Sequence, residues 1–256
     1  MSRLNSPCEF LAWDSEFFGH RIARVISHRL DPDGLANILS WCARNKIDGL
    51  YFLADPDHDA TVVLAEQNGF HLVDMRLTLA LDQIEKASAP GSGPDSIQIR
   101  PAHSSDIAGL ENIARTAHGD TRFYYDQRFA SRCSDLYATW LRRSYEGFAD
   151  QVLVAEYAGQ PRGYITCRLD NNDEMSGHIG LVGVDATARG KGIGQALVRC
   201  SLCWFADQGV QQARVVTQAR NVSAQRLYQR CGFVTHSLQM WYHKWFGISQ
   251  AGFTSL

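Results

Sequence analysis

The stretch that most restricts what this chain can become is Arg189-Gly190-Lys191-Gly192-Ile193-Gly194. It lies between an apolar run at residues 178–184 and a helical pattern carried by Ile193, Leu197, Cys200 and Cys203. These periods read as a strand feeding a tight turn that opens a helix. Glycine at 190, 192 and 194 removes side chains from the turn, so backbone N–H groups can approach an anion. The helix N-terminus adds its partial positive charge, and Arg189 and Lys191 add formal charge beside it. The stretch therefore reads as a pyrophosphate site. It is not a P-loop, because Gly190-Lys191 is followed by Gly192 and position 185 is Asp. It is not a dinucleotide fingerprint either, with Leu197 at the third glycine position and Gln212 where an acidic residue is needed.

A second pattern follows: Asn221-x-x-Ala224-x-x-Leu227-Tyr228-x-x-x-Gly232-Phe233. Together with Arg189-x-x-Gly192-x-Gly194, in this order and separated by a helix and a strand, it resembles the GNAT N-acetyltransferase family. That resemblance implies a mixed α/β (α+β) fold, the GNAT acetyltransferase fold, whose mostly antiparallel sheet splays apart between two parallel strands. It implies acetyl-CoA as cosubstrate and no metal.

The rest of the composition narrows the class. Net charge is −2 from 25 basic and 27 acidic residues, with no run of like charge, so no nucleic-acid footprint is expected. No apolar stretch approaches the roughly 20 residues of a membrane helix, and MSRLNSPCEF lacks the apolar centre of a signal peptide. The chain reads as soluble and cytoplasmic, without a membrane partner. Seven scattered cysteines suit reduced thiols. Cys200 and Cys203 form C-x-x-C, but both continue an apolar helix stripe, which is a packing role.

In chain order, residues 22–26 and 50–53 read as strands, 32–44 and 60–67 as helices, and 71–81 as an alternating strand. Residues 86–96, KASAPGSGPDS, hold only small, polar or breaking residues and read as a linker. The expected organisation is a partial GNAT-like α/β domain at 1–85, the linker at 86–96, and the acetyltransferase domain at 97–256. A weak repeat spans the linker: LAEQNGFHLVDMRLTL from Leu64 and LYQRCGFVTHSLQMWY from Leu227 are both helix, Gly-Phe, then long strand. The first copy has no glycine loop, so cofactor chemistry belongs to the second. In the second domain, 97–101 is a strand and Ile107, Leu110, Ile113 and Ala114 mark a helix. Residues 118–126 form a polar, aromatic loop, and a helix runs from about 127 to 145. Strands follow at 152–156, 163–169 and 179–184, then at 213–217 and 234–245, with helices to 207 and at 221–231. Trp241, Tyr242, Trp245 and Phe246 on the last strand are compatible with a homodimer edge.

The resemblance also assigns roles. Leu181, Val182, Gly183 and Val184 would lie along the thioester, with a bulge at 182–184 freeing backbone N–H groups. Arg189, Gly190, Lys191, Gly192, Ile193 and Gly194 would hold the pyrophosphate. Asn221 would hydrogen-bond the pantetheine arm, or cap the following helix, or both. Tyr228 would protonate the departing thiolate; as a residue on a short helix it also reads as core. His118 and His178 are candidates for a base, with water as the alternative. The segment LAWDSEFFG (residues 11–19), Thr121-Arg122-Phe123 and VTQARN (residues 216–221) resemble the members of this family that acetylate a nucleotide-linked 4-amino-4,6-dideoxygalactose. The small-molecule acceptor implied is such an amino sugar, with Arg122, Phe123 and Tyr124 at its site. Other readings are an acetyltransferase for an amino acid, drug or protein amine, and a non-catalytic acetyl-CoA-binding module.

Overall fold

The structure, a computed structural model, describes residues 6–84, 96–170 and 175–247. Contacts divide the chain into two compact units: Met1–Met75 with Leu238–Leu256, and Arg76–Ser237. The linker expected at 86–96 lies outside the described residues apart from Ser96.

The first unit opens with β1 (Cys8–Phe10), a short strand that the sequence reading missed, and α1 (Ala12–Phe18). β2 (Ile22–Val25), α2 (Pro32–Arg44), β3 (Gly49–Ala54) and α3 (Asp59–Gln67) follow. Asp31 starts α2 by accepting the Gly34 N–H at 2.7 Å, with Pro32 at the position where a missing N–H costs nothing. Leu35, Ile38 and Cys42 then bury one stripe of that helix. β1 runs antiparallel to β2, β2 parallel to β3, and β3 antiparallel to residues 240–245 of the last strand, β10 (Val234–Trp245). Every residue of β3 is buried, as expected of a strand covered on both faces. Tyr242 is also buried here, stacked on Phe52 at 6.3 Å, rather than presented at an open edge.

The second unit begins within β4 (His71–Asp82). Residues 76–82 of β4 pair antiparallel with β9 (Gln212–Gln218). β5 (Ile97–Pro101), β6 (Gln151–Tyr157), β7 (Gln160–Leu169) and β8 (Ser176–Val184) form an antiparallel run. β8 and β9 are the parallel pair. This is the splayed, mostly antiparallel sheet that the family resemblance implied.

The two repeat copies fold alike. In each, a helix ends at a glycine with positive φ (Gly69 at 71°, Gly232 at 94°), where a residue without Cβ is favoured. In each a buried Phe follows, Phe70 or Phe233. In each the strand is long, 12 residues in β4 and 12 in β10.

Helices cover the second unit's sheet. α4 (Ile107–Ala117) buries Ile107, Leu110, Ile113 and Ala114. Arg100 on β5 anchors its start: the guanidinium reaches Asp106 at 2.7 Å and Glu156 at 2.6 Å. This holds the Asp106 carboxylate below its ordinary pKa, so its Oδ2 accepts the His103 N–H at 2.8 Å in its charged form. The helix expected at 127–145 is broken. One turn, α5 (Arg122–Tyr125), lies inside the expected loop; a second, α6 (Gln127–Ala130), follows, and α7 (Cys133–Arg143) is the regular part. Asp126 causes the restart, because its side chain accepts the Arg128 N–H at 3.1 Å. On the opposite face lies α8 (Ile193–Asp207), which buries Ile193, Leu197, Val198, Leu202 and Phe205 in the core. Among the described residues no helix is long and apolar enough to cross a membrane.

Gly163 is where α8 meets the sheet. A Cβ there would lie 2.9 Å from Ile193 Cγ2, 3.0 Å from the Gly183 carbonyl oxygen and 3.2 Å from Leu197 Cδ1. Gly163→Ala is expected to cost about 1–3 kcal/mol by overpacking. A urea titration with an unchanged midpoint would show that α8 is not seated on this glycine.

Candidate functional site

The site starts from a gap in the sheet. β8 and β9 pair in parallel only from Ser176↔Gln212 to Ile179↔Val215. Beyond Ile179 an extra residue enters β8: Ile165 pairs with Val182 but Cys167 with Ile179. The bulge thus sits at Gly180–Leu181, earlier than the 182–184 expected from the sequence. Its cause is local. Leu181 N–H donates to the Thr166 hydroxyl at 2.8 Å instead of to a carbonyl, and a Cβ on Gly180 would come within 2.7 Å of that hydroxyl. After the bulge, Asp185 N–H donates to Arg162 O at 2.9 Å, so odd-numbered residues 183 and 185 face β7. By strand alternation the N–H and C=O groups of Val182 and Val184 point the other way, toward the gap. Arg189 closes on that side, its Nε donating to Val184 O at 3.4 Å.

The glycine loop stands at one end of this gap. Gly190 (φ 77°) and Gly192 (φ 86°) adopt the left-handed conformation that the turn requires. Gly192 is the N-cap of α8, and no side chain caps the helix. Its first-turn N–H groups are therefore turned outward beside exposed Arg189 and Lys191. Ile193, by contrast, is buried and anchors the loop to the core.

Gly194 joins three elements. A Cβ there would lie 3.2 Å from Leu227 Cδ2 and 3.8 Å from Val184 Cγ2. Leu227 belongs to α9 (Val222–Arg230). The strand beside the gap, the uncapped start of α8 and α9 therefore converge at a residue without a side chain. Asn221 caps α9, its Oδ1 accepting the Ala224 N–H at 3.0 Å. The amide NH2 of Asn221 is left to donate elsewhere. Tyr228, on the same helix, is buried with its ring edge-on to Phe233 at 5.9 Å. Burial pushes its phenol well above the ordinary tyrosine range. Its hydroxyl forms no hydrogen bond among the described residues. Tyr228 is thus both a core ring and a neutral, uncommitted donor.

The other candidates lie on the α4–α7 side. Phe123 is buried against Phe129 at 5.7 Å, and the Arg122 guanidinium lies 4.1 Å over the Phe123 ring. Phe123 is therefore a platform under Arg122 rather than an open contact surface. Burial raises the Tyr124 phenol pKa. A contact that the sequence did not show also lies here: the Arg220 guanidinium stacks 3.6 Å over exposed Tyr125 of the same segment. Arg220 immediately precedes Asn221, so this stack joins the 118–126 segment to the start of α9. Their separation in sequence left no signal for the pairing. Of the two candidate bases, His178 bonds to Asp170 at 3.1 Å near the beginning of β8. His118 reaches Tyr164 Oη at 2.8 Å and stacks on Tyr137 at 4.5 Å. Cys200 and Cys203 are half-buried on α8, and among the described residues no group of three His, Cys, Asp or Glu could hold a metal.

Asn221→Ala removes the α9 cap and is expected to cost about 1 kcal/mol, with Asn221→Asp restoring most of it. Equal thermal stability of Asn221→Ala and the unsubstituted protein would show that the cap carries no weight.

Residues 113–233, which contain the gap, the glycine loop and α9, match the model of the acetyltransferase (GNAT) family. The chain is 28% identical to a dTDP-fucosamine acetyltransferase of Escherichia coli over 94% of its own length and 99% of that protein. It is 24% identical to a mycothiol acetyltransferase of Pseudarthrobacter chlorophenolicus over 78% of this chain and 61% of that one. A GCN5-related N-acetyltransferase structure from Sphaerobacter thermophilus superposes with a TM-score of 0.66, covering 93% of this chain and 76% of that chain at 18% identity. Residues 113–233 therefore carry a GNAT acetyltransferase domain.

Proposed function

We propose that the chain transfers the acetyl group of acetyl-CoA to the amine of a nucleotide-linked amino-deoxy sugar, by direct attack in a ternary complex. The observation that carries this reading is the convergence at Gly194 of Val184, the uncapped start of α8 and Leu227. It gives one ligand three kinds of contact. The N–H groups of the loop and first turn of α8, with Arg189 and Lys191, suit a pyrophosphate. The outward N–H and C=O groups of Val182 and Val184 suit an amide-bearing arm laid along the strand. The Asn221 amide NH2 can donate to the same arm.

The chemistry follows from those positions. The neutral amine nitrogen bonds to the thioester carbonyl carbon, and the C=O π pair moves to oxygen. A backbone N–H facing the gap can stabilise that oxyanion because it is already oriented and need not reorganise. On collapse the C–S bond breaks, the sulfur takes the electron pair, and Tyr228 Oη gives its proton to the thiolate. The amine nitrogen loses its extra proton to water. The burial that raises the phenol pKa also disfavours a thiolate in the same place, so the two groups stay matched for proton transfer.

The similarity to dTDP-fucosamine acetyltransferase along nearly the full length of both chains supports a sugar nucleotide as acceptor. Arg122, lying over the Phe123 ring, is a cation suited to its phosphates. The mycothiol acetyltransferase relatives support a second reading, an amine on a different small molecule.

Thiol release from acetyl-CoA in the presence of dTDP-fucosamine, the mycothiol precursor amine, amino acids and amine drugs decides between these. The sugar nucleotide is expected to give the highest kcat/KM, and equal or better turnover of another amine would reassign the acceptor. Tyr228→Phe keeps the ring and deletes only the acid. Its kcat is expected to fall by about 10²–10⁴-fold with little change in KM for acetyl-CoA. A normal kcat accompanied by a lower melting temperature would make Tyr228 a packing residue alone.

A further inference from the structure

His118 holds a position that the mechanism above does not use. It ends α4 and begins the segment 118–126. Its Nε2 lies 2.8 Å from Tyr164 Oη, and its ring stacks on Tyr137 at 4.5 Å. Tyr164 is fully buried on β7. Its neighbour Gly163 faces Ile193 and Leu197 on α8, so Tyr164 faces the opposite side of the sheet. There it crosses Gly183: a Cβ on that glycine would be 2.5 Å from Tyr164 Cε1 and 2.9 Å from its hydroxyl oxygen. The His118–Tyr164 pair thus lies directly on the strand segment along which the acetyl group would rest, on the α4–α7 face.

The bond between them has a direction. A buried hydroxyl proton left without an acceptor is costly, and Tyr164 Oη has no other partner among the described residues. Tyr164 therefore donates, and His118 Nε2 accepts. A neutral imidazole carries one proton, so the proton must sit on Nδ1. Enclosure keeps the ring neutral, pulling its pKa down to about 4. Among the described residues Nδ1 makes no hydrogen bond, and the His118 side chain is only partly buried. His118 is then unsuited to be the base: one nitrogen is occupied by the Tyr164 proton and the other already carries its own.

We propose that Tyr164 locks His118 as a neutral Nδ1–H donor, and that this donor reads an oxygen of the acceptor molecule on the α4–α7 face of β8. An N–H donor pairs with a lone pair and not with an ammonium, so it fixes the acceptor's scaffold and leaves the amine free to meet the thioester. The inference rests on the acetyltransfer reading for its ligand, but not for the tautomer.

Two measurements test it. In ¹⁵N NMR of the free protein near neutral pH, His118 is expected to show the Nδ1–H tautomer, and Tyr164→Phe is expected to shift it toward Nε2–H. An Nε2–H ring or an imidazolium in the unsubstituted protein overturns the proposal. For kinetics, the double variant His118→Phe/Tyr164→Phe keeps an apolar pair of similar shape and orphans no hydroxyl. Its KM for the amine that turns over best is expected to rise about fivefold, the worth of one hydrogen bond, with KM for acetyl-CoA unchanged. His118→Asn/Tyr164→Phe places an amide N–H near the Nδ1 position and should recover most of that loss. Equal acceptor KM in the two double variants, or a loss falling on kcat alone, overturns the proposed contact. If the unsubstituted protein releases no thiol with any amine, the acetyltransfer reading and the acceptor contact fail together, while the tautomer is judged by its own spectrum.

Discussion

The second unit depends on a main-chain hydrogen bond that is not made. Thr166 takes the Leu181 N–H with its side chain, β8 gains a residue at Gly180–Leu181, and pairing with β9 ends at Ile179↔Val215. Two parallel strands that paired to their ends would leave no unsatisfied polar backbone between them. Separated, they leave a row of N–H and C=O groups that an extended, amide-bearing ligand can complete. In the proposed function such a ligand would take the place of sheet, a role that asks for few charged side chains along Val182–Val184.

Around that gap, missing side chains matter more than present ones. Gly180 makes room for a hydroxyl, Gly183 for the Tyr164 ring, and Gly194 for Leu227. Each allows a contact that a methyl group would block, and each contact positions a neighbour of the proposed chemistry. The polar groups nearby are mostly committed elsewhere. Asn221 Oδ1 holds a helix cap, and His118 Nε2 holds a buried hydroxyl. What remains for a ligand is the second half of each group, an amide NH2 and a ring N–H, and both are donors.

Much of this was legible in the sequence because it rests on local rules. The glycine loop, the Asn221 cap and the Gly-Phe punctuation of the repeat each follow from residues within a turn or two of one another. α2 falls at Pro32–Arg44, where its pattern placed it, since its cap and apolar stripe agree. What could not be read was set by partners distant in sequence. The bulge position depends on Thr166 meeting Gly180 across two strands. The Arg220–Tyr125 stack and the His118–Tyr164 bond join residues that no periodicity links. The helix expected at 127–145 is broken for a local reason: Asp126 offers its carboxylate to the Arg128 N–H and restarts the chain.

The two long strands, one after each Gly-Phe, have a consequence for how such a gene could be divided. Residues 76–82 of β4 pair with β9 in the second unit, whereas residues 240–245 of β10 pair with β3 in the first. The first unit thus contains a strand encoded after the whole of the second, and the second opens on one encoded before residue 86. A cut between codons 86 and 96 would fall between the two copies of the repeat and still give two incomplete sheets. The N-terminal fragment would expose β3, buried at all six positions, along the edge that β10 occupies. Recombination at that point would therefore not deliver either half as a self-contained unit.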